Sequence, residues 1–489
     1  MFSLRHRSGQ AILLLLVAIA LRSPFFGNPV IHSDEQFYLL VGDRLLHGAW
    51  PFVDIFDRKP VGLFLIFAGI RSVGGDGVLM YQLAATLVAT ATAFLVARIV
   101  SRLSSDDANP LASVGAALIY LVWIIVFDGA GGQSAIWGNA LMAAAALLVL
   151  DTTRGHRHIS LRGAGAMLLI GLAMQIKYTA MFEGIFFGLT LVWAAYRDGR
   201  SIGRLTADAA LWIGAALFPT ALAWIVYAAA GHGDAFVFAN FLSIFGQQDD
   251  DTLSSNLLKL LGGVGMSLPL AWLAWRGRRT GSFALGWLAA AVIAILIMHT
   301  FELLYLLPLA LPLSVAAGTG LSGPTVRTTM VRLAAVLVFG ALAATIMTSV
   351  RIGRRGNAHQ IAQLVQMIGQ QPRGCMFAYG SEPIPLFPDP VLPADALYLP
   401  QSPGPDGRIA RHGDRSGRGS RAVARGWARR DRRTRAQAHH EPRDPGAGTA
   451  RDRQAVSIGR LSEDRRVAAE RLSPAYRRSP MTRRGYLKS

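Results

Sequence analysis

The chain has 489 residues, 52% of them hydrophobic, at a mean hydropathy of +0.36, and its apolar residues fall in long runs broken by short polar stretches, which excludes an ordinary soluble domain. The formal charge of +19 is uneven: residues 401–489 hold 23 Lys+Arg against 9 Asp+Glu, so only +5 belongs to the first 400, and the basic total is no nucleic-acid signal. A single cysteine, Cys375, excludes an intrachain disulfide and a cysteine-based metal site.

Eleven apolar segments follow in chain order, at 10–26, 78–100, 109–127, 134–150, 162–176, 178–196, 207–230, 257–275, 282–299, 302–320 and 331–350. Each is long enough to cross, or nearly cross, ~30 Å of hydrocarbon at 1.5 Å per residue. A further stretch, Val61–Val73, is shorter and carries Arg71, so it reads as a helix lying at the interface. With the N-terminus inside and 61–73 left out of the count, the loops carrying Arg154/Arg157, Arg197/Arg200/Arg204, Arg276/Arg278/Arg279 and Arg327 fall inside. The acidic loop 231–256 falls outside. Counting 61–73 as a span would move every later basic cluster outside. The first span also has the pattern of a signal peptide, whose cleavage would leave loop 27–77 on the same side.

That first outer loop is long and rich in charge. Ser33, followed by Asp34, Glu35 and Gln36, is a capping signature that predicts a short helix over 33–46. Acids in its first turn are accounted for by capping and dipole compensation of ~0.3–1 kcal/mol. Lys59, however, stands in the same loop in a chain with only three other lysines, Lys177, Lys259 and Lys488. By the topology above Lys177 also lies near the outer face, where snorkelling at a helix end is its plain alternative. Two ammonium groups and an acid at one interface suit a phosphate-bearing substrate and a proton-accepting carboxylate. The outer loop 231–256 interleaves Phe236, Phe238, Phe241 and Phe245 with Asp249–Asp251, as a connector or a surface helix over the substrate. Three adjacent acids do not converge on one ion. His299 and Glu302 flank an outer helix end, as interfacial polar residues or substrate contacts.

The resemblance to a known family rests on three stretches. Asp34-Glu35-x-x-Tyr38, Leu45-Leu46-x-Gly48 and Pro51-Phe52-x-Asp54-x-Phe56-Asp57-x-Lys59-Pro60 together resemble the first external loop of GT-C membrane glycosyltransferases, nearest the protein O-mannosyltransferase, aminoarabinose-transferase and Rgt-like groups. Gly171-Leu172-Ala173-x-Gln175-x-Lys177 looks like that family's lysine segment, and Tyr305–Pro312 is similar to its late proline-rich span. The resemblance covers about residues 5–350. It implies an all-α polytopic fold with a long first external loop, and transfer of a sugar from a polyprenyl-phosphate donor to a glycolipid, glycan or protein acceptor. It places the active site on the external, periplasmic side of the inner membrane, with the lipid bilayer as a partner and no nucleic acid. Carried over residue by residue, Asp34 matches the acid that activates the acceptor hydroxyl, with Glu35 its neighbour in the catalytic motif. Lys59 and Lys177 match phosphate contacts, and Arg58 joins them. Tyr38, Asp57, His299, Glu302 and Tyr305 are candidates for substrate contact. The chain departs from the pattern at Arg58, where some members have Glu. It departs again at Gln133-Ser134-x-x-Trp137-Gly138-Asn139, where the family often has an acid. No metal ligand set is evident, and a divalent cation remains a candidate cofactor.

Residues 1–350 thus form the expected transmembrane domain, and 351–400 a truncated external region that is Pro-rich from 383. The Arg-rich stretch 401–489 reads as a disordered basic arm or, the favoured reading, as GC-rich sequence translated out of frame. The rival function is a transporter or flippase for a lipid-linked precursor. Transporters carry ionisable residues in mid-span and inverted repeats, whereas these spans are nearly charge-free apart from Glu183 and show no internal repeat. A catalytically impaired GT-C assembly protein is the third reading.

Overall fold

The computed structural model describes residues 6–104, 110–155, 158–243, 253–299 and 301–368. The expectations for Cys375, Asp249–Asp251 and the regions 369–400 and 401–489 lie outside the described residues.

Among these residues the chain is all-helical. Helix α1 (Arg7–Arg22) closes in a 3-10 turn at Ser23–Phe25. The first loop holds α2 (Ser33–Leu46) and α3 (Val61–Ser72), packed against each other. Then come α4 (Gly77–Leu103), α5 (Pro110–Val126), α6 (Ser134–Gly155), α7 (Ile159–Met174), α8 (Ala180–Arg197) and α9 (Ile202–Ala229). The short α10 (Gly233–Val237) runs into a π-helical turn at Phe238–Leu242. Last are α11 (Leu253–Arg276), α12 (Ser282–Met298), α13 (Ala310–Leu321), α14 (Val326–Arg355) and α15 (Ala358–Ile368). Each expected apolar segment overlaps one of these helices. Six, at Arg7–Phe25, Gly77–Leu103, Ser134–Arg154, Ile202–Ala229, Ser254–Arg276 and Val326–Gln363, are long and apolar enough to cross a membrane. The chain is a multi-pass membrane protein.

The interior forms around two short helices. Helix α13 buries all twelve of its residues and packs on α5, which is itself enclosed by α1, α4 and α14. A helix apolar all round belongs at the centre of a bundle. Helix α9 is the opposite case. It buries Asp208, Trp212, Ala216, Pro219 and Tyr227, a stripe at helical period, and turns Leu211, Ile213, Phe218 and Trp224 outward. In a membrane those side chains meet lipid, which is as apolar as a core.

Two expectations shift in detail. Helix α2 begins on Ser33 itself, and His32 holds the cap position without a side-chain capping bond. The apolar segment 302–320 is a 3-10 turn at Leu303–Leu306 followed by α13, rather than one helix; Pro308 falls at that break and Pro312 in the first turn of α13.

Candidate functional site

The first loop is folded onto the rest of the protein by aromatic side chains. The Trp50 N–H donates to Asp54 Oδ2 (2.7 Å), and Phe52 N–H to the Ile55 carbonyl (2.8 Å). This tight turn forces Phe52 to φ 72°, a left-handed conformation that a bulky residue adopts only when its surroundings hold it. Phe64, Tyr227 and Phe236 surround its ring, and Tyr227 OH donates to the Pro51 carbonyl (3.1 Å). Phe56 rests on Phe238 of the π-helical turn. The aromatics of the segment Gly233–Leu242 therefore pack on the first loop.

The turn delivers the chain to the start of α3, where Lys59 is set. Asp57 Oδ1 accepts the backbone N–H of Arg58 (2.5 Å) and Lys59 (3.1 Å), and its other oxygen lies 3.8 Å from Lys59 Nζ. The first turn of α3 leaves N–H groups without intrahelical partners. In that turn Leu63 N–H, which also reaches the Pro60 carbonyl (3.2 Å), donates to the Gln175 carbonyl (3.1 Å) in the α7–α8 connection. Gly62 makes the approach possible, because a Cβ there would sit 2.6 Å from the same oxygen. Gln175 in turn donates to Thr220 Oγ1 of α9 (2.7 Å). This junction carries Lys177 to the first loop.

Asp34, Tyr38, Lys59, Lys177 and Tyr305 consequently share one cluster. Lys59 Nζ lies 3.8 Å from Asp34 Oδ2 and 5.0 Å from the centre of the Tyr38 ring. Tyr38 OH donates to Asp34 Oδ2 (3.1 Å). Burial and the Asp34 charge push the Tyr38 hydroxyl well above its ordinary range, so it stays a donor. Lys177 Nζ stands 5.0 Å over the Tyr305 ring, a cation–π distance. Desolvation, with repulsion from Lys59, lowers the Lys177 ammonium to about 8. Burial also raises the Tyr305 hydroxyl, with the charges of Asp34, Lys59, Glu302 and Arg58 acting on it. Glu302 is exposed and accepts from Lys259 (3.2 Å) at the rim. His299 is not brought in: it ends α12 at φ 50°, and its Nδ1 contacts the Ile297 carbonyl.

Glu35 also parts from this group. Consecutive helical residues point about 100° apart, and Glu35 faces the protein interior with no exposed surface. Its carboxyl lies against the backbone of Gly131 and accepts from Tyr81 OH at 3.4 Å. Desolvation raises its pKa. Beneath it, Arg22 donates to Thr86 Oγ1 (3.0 Å) and to the Gly129 and Gly131 carbonyls. His32 Nε2 contacts the Asp128 carbonyl (2.7 Å), and Arg351 of α14 pairs with the Asp128 carboxylate. Sequence reading missed Arg22, Asp128 and Arg351. Each looks like a charge flanking a span, and nothing in the spacing joins residues this far apart.

Among the described residues, no three His, Cys, Asp or Glu side chains converge as a metal would require. Asp34 and Asp57 do not fit one either, because the Lys59 ammonium already lies 3.8 Å from both.

The structure has the GT-C fold, an all-helical bundle whose first long loop is folded as two short helices. Solved structures to which it is similar include two of ArnT from Cupriavidus metallidurans. One, bound to undecaprenyl phosphate, matches at a TM-score of 0.57 and 13% identity over 78% of this chain and 84% of that one. The other, in the apo state, matches at 0.55 and 14% over 76% and 82%. No family model matches the sequence, and no curated protein does.

Proposed function

We propose that this protein is a glycosyltransferase that moves a sugar from a polyprenyl-phosphate donor to a hydroxyl of a cell-envelope acceptor, with inversion, at the outer face of the inner membrane. The observation that carries the reading is the convergence of Asp34, Lys59 and Lys177 from three separate elements. The ArnT structure with bound undecaprenyl phosphate supports a lipid-phosphate partner. The cluster lies at one end of the bundle, where a donor with its tail in lipid and its head in water would present the scissile bond.

In the proposed reaction the acceptor oxygen attacks the anomeric carbon from the face opposite the phosphate. The bond to the phosphate oxygen breaks, and its electron pair leaves with the polyprenyl phosphate. Lys59, Lys177 and Arg58 would neutralise that leaving group, since cations placed where charge develops lower the barrier. Asp34 would take the proton of the acceptor hydroxyl. Tyr38, hydrogen-bonded to one Asp34 oxygen, leaves the other for the acceptor. Tyr305 stacks under Lys177 and is a candidate wall for the sugar.

Membranes containing the protein are expected to consume a radiolabelled polyprenyl-phosphate sugar. Asp34→Asn removes the base and keeps the shape, so kcat should fall on the order of 10²-fold or more with donor binding retained. Full transfer by Asp34→Asn would show that another group takes the proton.

A further inference from the structure

Resting on the assignment of Asp34 as the base, we propose that Glu35 is a positioning residue, a buried peg that seats against Gly131 and fixes the rotation of α2 so that Asp34 faces Lys59. The two acids of the motif then have unlike tasks. One meets substrate, and the other sets the angle at which the first is presented.

Four observations support this. First, Glu35 is wholly buried, whereas 42% of the Asp34 side-chain surface remains exposed. Second, the seat is shaped for it: a Cβ on Gly131 would collide with both Glu35 carboxyl oxygens, so a residue larger than glycine there would displace the Glu35 side chain from its present place. Third, the loop bearing Gly131 is itself fixed, since Arg22 on α1 holds the carbonyls of Gly129 and Gly131 and is tied to Thr86 on α4. Fourth, on the other flank Gln36 Nε2 donates to Tyr81 OH (3.2 Å), which donates to Glu35 Oε2. Both residues of α2 that follow Asp34 are thus held by α4. A rotation of α2 by even a fraction of the angle between neighbouring residues would carry Asp34 out of reach of Lys59. Burial favours the neutral form of Glu35, and a neutral carboxyl can pack against backbone without the cost of a buried charge.

The test uses the full-length protein with Cys375→Ser, with two kinds of readout. In the first, Asp34→Cys is added and its labelling rate by a membrane-impermeant thiol reagent is measured. Glu35→Gln, which keeps the shape of the peg, should hold that rate within about twofold, whereas Glu35→Ala should change it at least fivefold. Gly131→Ala should also change it strongly, yet add little once Glu35 is already alanine, because the space is then free. That non-additivity separates a lost seat from general misfolding. In the second readout Asp34 is intact and transfer is assayed. Glu35→Ala should lower kcat about tenfold with donor KM within threefold, and Glu35→Gln should restore it without altering the pH profile. If Glu35→Gln loses as much as Glu35→Ala, the carboxyl group itself is used and the positioning role is wrong. Equal labelling rates in all variants would overturn it as well. Should the wild type transfer no sugar, the functional reading fails while the labelling readout still decides this one.

Discussion

Lys177 is subject to two opposing demands. Its surroundings remove water and place a second ammonium nearby, both of which favour the neutral amine, yet the proposed contact with the donor phosphate needs the cation. With its pKa lowered to about 8, it is mostly charged at neutral pH and loses its proton as pH rises through that value. Donor KM is therefore expected to be flat below pH 7 and to climb above pH 8, with a smaller change in kcat. An arginine keeps its proton throughout this range. Lys177→Arg should flatten the alkaline climb even if it binds less well overall, and Lys177→Ala should raise donor KM roughly 10- to 100-fold, from the ~1.5–3 kcal/mol of a charged hydrogen bond. Steady-state kinetics from pH 6 to 9.5 read both. An identical climb in Lys177→Arg would assign the titration to another group. The scarcity of lysine, together with the expected topology and the family resemblance, singled out Lys59 and Lys177 in the sequence. The tyrosine faces on which each rests were not legible there, because Tyr305 lies on a different element from Lys177.

At the scale of elements, the site depends on how α3 meets the α7–α8 connection. Lys59 precedes α3 and Lys177 precedes α8, and the Leu63–Gln175 hydrogen bond is where the two segments touch. Gly62→Ala would push a methyl group into the Gln175 carbonyl. Overpacking of this kind costs about 1–3 kcal/mol, and the relief is to move α3 away, which separates the two ammonium groups. Gly62→Ala is thus expected to lower thermal stability modestly and to weaken donor binding more than it changes kcat at saturation. A scanning calorimetry trace with a donor titration would show both. A variant with lowered stability and unchanged donor affinity would mean that the junction supports only the fold. The helices themselves were legible because apolar runs report length and burial directly. Their partners were not. The Arg351–His32 contact joins residues 319 apart, and Arg22–Gly129 joins residues 107 apart. Hydropathy tells how much of a helix avoids water and is silent on which neighbour covers it. The same silence hid the 3-10 break at Leu303–Leu306, since proline-containing apolar sequence scores as a continuous span.

For the molecule as a whole the decisive property is sidedness, because an enzyme using an externally presented donor must carry its cluster outside. The distribution of arginine sets this expectation: the stretches 151–161, 197–206, 276–281 and 321–330, which join α6 to α7, α8 to α9, α11 to α12 and α13 to α14, are each net basic. Arg351, Arg354 and Arg355 at the end of α14 run against the rule, but Arg351 is neutralised by Asp128. The count turns on α3. Its twelve residues reach only about 18 Å at 1.5 Å per residue, short of the ~30 Å hydrocarbon layer, and it packs on α2 and α4. If α3 lies at the interface, the residues on its two sides share one compartment. In a Cys375→Ser background, Leu46→Cys and Val73→Cys, both at exposed positions before and after α3, should therefore react with an impermeant thiol reagent applied to intact spheroplasts. Arg279→Cys, exposed in the loop after α11, should react only once the membrane is opened. Opposite behaviour of Leu46→Cys and Val73→Cys would make α3 a true span and reverse every later loop. Labelling of Arg279→Cys in intact spheroplasts would place the basic loops outside. With labelling of the two α3 flanks confined to opened membranes, it would turn Asp34, Lys59 and Lys177 toward the cytoplasm, where a sugar donor would have to be presented on the inner leaflet.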